Sequence, residues 1–214
     1  MFGETYSAVP RPEYVEISPG GKIPDRYDTV ELKYDGQWGE LHCGFGKNSN
    51  WWEIRTRSDK QGKGGRGLFP TQRCVIVGEW IFDTSWGQQN PWGKVEPRRI
   101  VPSPRDSEGH WTPGGFKPIG RNARSVENGY FAAFDVLYAH GKDLRRIPLN
   151  LRRALLQNLV HELQPAMPWV RATAVWERSS WRAVWNQKVV DGGWEGLVFK
   201  DSSKPYADAA WAKM

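Results

Sequence analysis

The sequence predicts an α+β fold with antiparallel sheets flanked by helices, and three observations carry that reading. Strand signals follow one another from Thr29 to Phe82 with no helical pattern between them. Only two later segments repeat with a helical period. The strict strand–helix alternation of a parallel sheet is missing.

Residues 1–27 are rich in Pro and Gly and read as an N-terminal loop segment with one short strand around Tyr14–Ile17. Thr29–Tyr34, Gly39–Gly44, Trp51–Thr56 and Cys74–Phe82 are β-branched or aromatic runs bounded by Gly, Asn or Asp. Gln61–Gly67 reads as a flexible basic loop, without the GxxxxGK[ST] pattern of a phosphate-cradling loop. Gly87–Gly129 is a long basic insert without periodicity. Tyr130–Tyr138 and Gly196–Asp201 are further strands. In Asn150–Leu163 the stripe Leu151, Leu155, Leu159 and Leu163, with Leu156 and Val160 beside it, marks a helix. A second helix spans Ser179–Val190, opened by a Ser pair able to cap it and closed by Gly192–Gly193.

Thirty Lys and Arg against 24 Asp and Glu leave a net charge of +6 on 214 residues. Such a balance favours a polyanionic partner, because each neutralised phosphate releases a condensed counterion. Charge alone does not choose a partner; many basic proteins bind no nucleic acid. Thirteen Trp are more than a core of this size takes up comfortably, so some are expected on the surface or in a cleft. Cys43 and Cys74 are far apart in sequence and form no zinc or disulfide pattern, which fits reduced thiols. His42, His110, His140 and His161 show no ligand spacing. There is no signal peptide and no apolar run of membrane-spanning length, so a cytoplasmic protein without membrane contact is expected.

Lys33 stands at the end of a strand in Glu31-Leu32-Lys33-Tyr34-Asp35-Gly36. Alone, this is a solvated lysine before an Asp-Gly turn. The chain goes on to Val77-Gly78-Glu79-Trp80, Phe134-Asp135-Val136-Leu137-Tyr138, Glu195-Gly196-Leu197-Val198-Phe199-Lys200 and Trp211-Ala212-Lys213. A polar residue inside each of several apolar strands is costly unless those residues converge on one polar site. Two carboxylates and several lysines suggest a metal–phosphate centre.

The ordered set KYDG, GE, FDVLY, EGLVFK and WAK resembles the collinear motifs of covalent nucleotidyltransferases, and among them the adenylation domains of ATP-dependent DNA ligases. The resemblance runs from about Glu31 to the end of the chain. It implies a two-subdomain, ATP-grasp-like nucleotidyltransferase domain over 28–214, with ATP in the cleft and the insert at 87–129. It further implies Lys33 as the nucleophile that forms lysyl-AMP, Glu79 on the ribose hydroxyls and Glu195 as a ligand for Mg²⁺. Lys200 and Lys213 would contact phosphates, and Phe134 would stack on adenine, although in most proteins such a Phe is core. Arg57 corresponds to a ribose- and phosphate-binding arginine, with Arg55 a close competitor across Thr56. Glu31 would meet the adenine edge, and Asp35 would shape the turn. The partner implied is nicked DNA, bound by a monomer that seals nicks in three steps. In the insert, Arg98, Arg99, Arg121 and Arg124 with interleaved Trp92, Trp111 and Phe116 form a candidate nucleic-acid surface, against the alternative of a solvated spacer.

Two departures stand out. DNA ligases commonly carry Arg two residues after the Gly of KxDG, where this chain has Trp38. An indole lacks an arginine's forked donors, so that contact is absent or supplied elsewhere. The chain is expected to be a fragment or trimmed form without the OB-fold domain that closes over ATP in these ligases, and so to retain nucleotide contacts better than complete strand joining. An ATP-dependent RNA ligase, and a noncatalytic basic nucleic-acid-binding module that kept the fold, remain as alternative readings.

Overall fold

The computed structural model describes residues 11–34, 36–45, 50–56, 61–67, 73–82, 117–118 and 129–214. Two sheets organise them. The smaller has five strands in the order β1 (Glu13–Glu16), β13 (Ala210–Lys213), β12 (Gly196–Lys200), β2 (Thr29–Lys33) and β11 (Val175–Glu177). The larger runs β10 (Val170–Ala172), β8 (Gly129–Ala139), β6 (Cys74–Phe82), β3 (Gln37–Phe45), β4 (Asn50–Thr56), β5 (Gln61–Gly67) and β7 (Lys117–Pro118), with β9 (Lys142–Asp143) on β8.

The expectation of antiparallel sheets is corrected in one respect. β1 pairs parallel with β13, and β10 pairs parallel with β8, so both sheets are mixed. Parallel partners have to be distant in sequence, and no local pattern announces them. Gln61–Gly67 is also not a loop, because its backbone pairs with β4 from Asn50↔Gly67 onward. Ladder hydrogen bonds are made by main chain, so a glycine-rich segment without β-branched residues joins a sheet when a neighbour holds it.

Helix α1 (Leu149–Leu163) lies against β8 and β10. Its buried stripe is Leu149, Arg152, Arg153, Leu156, Leu159, Val160 and Leu163, whereas Leu151 is exposed. The stripe drawn from Leu151 is therefore turned by about one residue at its start, because two arginines occupy positions that a hydrophobic pattern skips. The second helix is composite: a 3-10 turn at Arg178–Ser180, α2 (Trp181–Val184) and a π-helical turn at Trp185–Val190. Neither Glu177 nor Ser180 caps it through a side chain.

Three apolar clusters follow from strand alternation. One face of the large sheet packs on α1 through Leu41, Ile76, Phe131, Val136, Leu156 and Leu159. Trp169 is wedged there between Trp52 and Trp80, at ring-centroid distances of 4.7 and 5.4 Å. The far face of the small sheet packs Val30, Leu32, Leu197, Phe199 and Ala212 against Val184 and Trp194. The facing sides of the two sheets meet through Trp38, Val77, Phe134, Leu137, Val198 and Trp211. Among the described residues six tryptophans are buried (Trp38, Trp52, Trp80, Trp169, Trp194 and Trp211), whereas Trp176, Trp181 and Trp185 are partly buried. Cys43 and Cys74 are free, buried and paired across β3 and β6.

Candidate active site

Where the sheets diverge from their shared cluster they leave an open cleft. The small sheet supplies Glu31 and Lys33 from β2, Glu195 and Lys200 at the two ends of β12, and Lys213 from β13. The large sheet supplies Glu79 from β6 and Phe134 from β8. Period-two alternation explains the convergence: Glu31 and Lys33 share one face of β2, and both Glu31 and Lys213 lie opposite Val198.

Lys33 lies opposite Gly196, so the preceding Glu195 comes beside it and the two form an ion pair. Glycine at 196 is required there, since a Cβ would sit 2.0 Å from the Met214 carbonyl oxygen. Gly36 has the same kind of reason. A Cβ would lie 2.7 Å from the Trp80 carbonyl oxygen, and the Gly36 N–H donates to Glu79 Oε2 at 3.1 Å. The glycine after Lys33 thus lets the turn touch β6 and hold Glu79.

Glu31 is almost wholly buried. Its Oε1 accepts from Lys200 Nζ at 2.7 Å and its Oε2 from Thr173 Oγ1 at 2.8 Å. Burial pushes this carboxyl up, but the Lys200 and Arg153 charges and the two hydrogen bonds outweigh it and hold Glu31 below the usual carboxylate range. The Lys200 ammonium lies 4.7 Å from the ring centre of Phe134 and 4.2 Å from that of Trp211, so its remaining surroundings are aromatic.

Phe134 faces the cleft because β8 bulges there. Val77 pairs with Asp135 and Gly78 with Ala133, leaving Phe134 as the extra residue. A bulge re-aims a side chain and leaves a carbonyl unpaired in the ladder. Arg153 Nη1 takes up that carbonyl at 3.1 Å while also donating to Thr173 Oγ1 at 2.9 Å. One buried guanidinium therefore sets both Phe134 and, through Thr173, Glu31. Next to it, Asp135 and Arg152 form a second buried pair, with Arg152 Nε and Nη2 donating to the carboxylate at 2.8 and 2.7 Å.

Glu79 is shifted in the opposite direction from Glu31. Burial pushes it up to about 7, against the lowering pull of Arg11, the Gly36 N–H, Lys33 and Lys213. Lys213 is held below the ordinary lysine range, first by its partial burial and then by Arg11 and Lys33. A raised carboxyl destabilises the fold only when ionised. The penalty is absent below the ordinary value of 4.5 and complete above about 7. Glu79→Gln is therefore expected to match the parent at pH 4.5 and to exceed it by about 1–3 kcal/mol at pH 8. Urea midpoints at the two pH values measure this, and an equal difference at both would contradict it.

All of Glu31, Lys33, Glu79, Phe134, Glu195, Lys200 and Lys213 come to the one cleft. Arg57, Arg98, Arg99, Arg121, Arg124 and Asp35 fall outside the described residues. Arg55 donates to Glu53 at 2.6 Å and is not among the cleft-lining residues. Sequence reasoning missed Arg11, Tyr14 and Trp211 in the lining and Arg153 and Thr173 behind it. For Arg152 and Arg153 a signal existed: they sit three or four residues before Leu156 on its helical stripe.

Comparison with curated proteins gives no match. The fold resembles mycobacterial DNA ligase D complexed with ATP and MES, with 16% identity and a TM-score of 0.53 over 95% of this chain and 59% of that one. It resembles equally the ATP-dependent DNA ligase of bacteriophage T7 in complex with ATP, with 15% identity and a TM-score of 0.54 over 94% of this chain and 68% of that one. A Lig E DNA ligase gives 15% identity and a TM-score of 0.54, with 97% and 69% covered. The chain thus spans about three-fifths, 59%, of the mycobacterial chain. The family described as "ATP dependent DNA ligase domain" matches residues 21–214, and the chain belongs to that family.

Proposed function

We propose that this chain is the adenylation domain of a DNA ligase, in which Lys33 takes AMP from ATP before AMP passes to a 5′-phosphate and a nick is sealed. The observation that carries the reading is the placement of Lys33 in a cleft with Glu195 beside it and Glu79, Lys200 and Lys213 around it. The Lys33 amine attacks the α-phosphorus, the bond from phosphorus to the bridging oxygen breaks, pyrophosphate leaves, and the amine gives up a proton to solvent. Attack needs a neutral amine, so the ion pair with Glu195 is a resting arrangement that opens first.

Glu79 accepts from the ribose hydroxyls, Phe134 packs on adenine, and Glu31 offers its edge to the base. Lys213, with Lys200 deeper in the cleft, neutralises phosphate oxygens, and Arg57 shares that role. Among the described residues no three His, Cys, Asp or Glu gather to hold a metal. Glu195, a carboxylate with 37% of its side chain exposed, fits Mg²⁺, which commonly uses one or two carboxylates and completes its shell with substrate phosphates. The ion would supply positive charge to the phosphate oxygens during transfer. Among the described residues no helix is long and apolar enough to cross a membrane, and we take the working form as a monomer on nicked DNA.

Incubation with α-labelled ATP, α-labelled GTP or labelled NAD plus Mg²⁺, followed by a denaturing gel, tests the assignment. Label from ATP alone is expected, and Glu195→Gln should weaken it with little change in melting temperature. Label from GTP or NAD in preference to ATP would refute adenylation from ATP. For the basic insert, changing Arg98, Arg99, Arg121 and Arg124 together to Ser should weaken binding to nicked duplex and flatten its salt dependence. Lysyl-AMP formation should be unaffected. An unchanged salt slope would leave the insert as a spacer.

A further inference from the structure

We infer that Arg11 is a positioning residue of the nucleotide cleft: it holds the Glu79 carboxylate turned toward the cleft, where it receives the ribose hydroxyls. The inference rests on the nucleotide-binding reading above. Arg11 precedes the region matched by the family, and no motif points to it. Its Nη2 donates to Glu79 Oε1 at 3.2 Å, its Nε donates to the Tyr14 hydroxyl at 2.8 Å, and its guanidinium lies 4.6 Å from the Tyr14 ring centre. Three contacts fix an otherwise flexible side chain.

Tyr14 is itself mounted. β1 runs parallel to β13 with Tyr14 opposite Trp211, and the two rings meet edge-on at 5.5 Å. The Ile17 N–H donates to the Lys213 carbonyl at 2.7 Å, closing the other end of the segment. The upstream segment therefore lies along the floor of the cleft.

Glu79 needs this partner because its own sheet gives it none. The residue directly across β3 is Trp38, which is buried in the apolar cluster between the sheets. The groups that act on Glu79 come from elsewhere: Arg11 before β1, Lys33 on β2, Lys213 on β13 and the Gly36 N–H. Lys33 is engaged by Glu195, and Lys213 lies over the Tyr14 ring, its Nζ 3.5 Å from the centre. Only Arg11 both touches the carboxylate and carries a charge, among the described residues. With Arg11 in place burial still pushes Glu79 up to about 7; without that cation the carboxyl moves further up, and a protonated one accepts poorly from hydroxyls.

The test follows Glu79 directly and nucleotide separately. Carboxyl ¹³C resonances of Glu-labelled protein are titrated in the parent, Arg11→Met and Arg11→Lys, with Glu79→Gln assigning the signal. ATP and 2′,3′-dideoxy-ATP affinities are measured in the same proteins at pH 7 and pH 9. Arg11→Met is expected to raise the Glu79 midpoint by at least about one pH unit, and Arg11→Lys to restore most of it. ATP affinity of Arg11→Met should fall about tenfold at pH 7 and recover at pH 9, with dideoxy-ATP affinity unchanged. An unmoved Glu79 midpoint overturns the role of Arg11. So does an equal loss for ATP and dideoxy-ATP, which would make Arg11 a phosphate contact. If the parent binds no ATP while the midpoint still moves, the nucleotide reading fails and takes this role with it.

Discussion

Lys33→Ala is expected to abolish label transfer from ATP, by a factor of about 10⁴ or more, while the melting temperature stays close to that of the parent. Lys33 is the last residue of β2, and its side chain keeps 23% of its surface exposed, so its removal opens no cavity in the core. Glu195, which loses its partner, keeps 37% of its own side-chain surface in water and is resolvated at little cost. Lys33→Arg sharpens the result. It keeps the charge next to Glu195 but replaces the nucleophile with a guanidinium that is always protonated. It should be as inactive as alanine. Peptide mapping that located AMP elsewhere, or a labelled alanine variant, would sink the assignment.

The largest stability effect is expected at Asp135, inside the same motif as Phe134 but with a different task. Asp135 and Arg152 are both buried, and the carboxylate accepts two guanidinium N–H groups and the Val136 N–H. Arg152 also donates to the Ile147 carbonyl. Removing one member leaves the other charged and dry, which costs about 3–5 kcal/mol. For a domain of this size that lowers the melting temperature by about 6–20 °C. The double change Asp135→Leu with Arg152→Met removes both charges and should recover much of the loss. Urea denaturation of the three variants reads this. A cost for Asp135→Ala below about 1 kcal/mol would mean that water reaches the pair.

These two cases show what the sequence made legible. Lys33, Glu79, Glu195, Lys200 and Lys213 stood out because a charged residue in an apolar strand has to be explained, and one cleft explains all five. Strand β6 was read at its observed limits, Cys74–Phe82, because a run of Val, Ile, Trp and Phe has no competing local choice. The parallel pairings β1–β13 and β10–β8 left no trace, since register between distant segments is decided by tertiary packing. The helical stripe marked the position of Arg153 but not its partner, for a related reason. Its effect on Phe134 depends on a bulge in β8, and a bulge is a mismatch between two strands that one strand does not encode. Arg11 combined both difficulties, lying in a Pro-rich stretch outside every motif and gaining meaning only when β1 docks.

The position of β13 between β12 and β1 has a consequence for how the protein is made. A ribosome delivers Glu13–Glu16 early and its ladder neighbour among the described residues, Ala210–Lys213, almost 200 residues later. Until then β12 and β1 each lack a neighbour, and closing so long a loop is slow. The strand that joins them also brings Lys213 and the mount for Tyr14 and Arg11. Completion of the cleft lining therefore waits for β13, and a nascent chain that stops short of that strand has neither Lys213 nor the mount for Tyr14 and Arg11 in place.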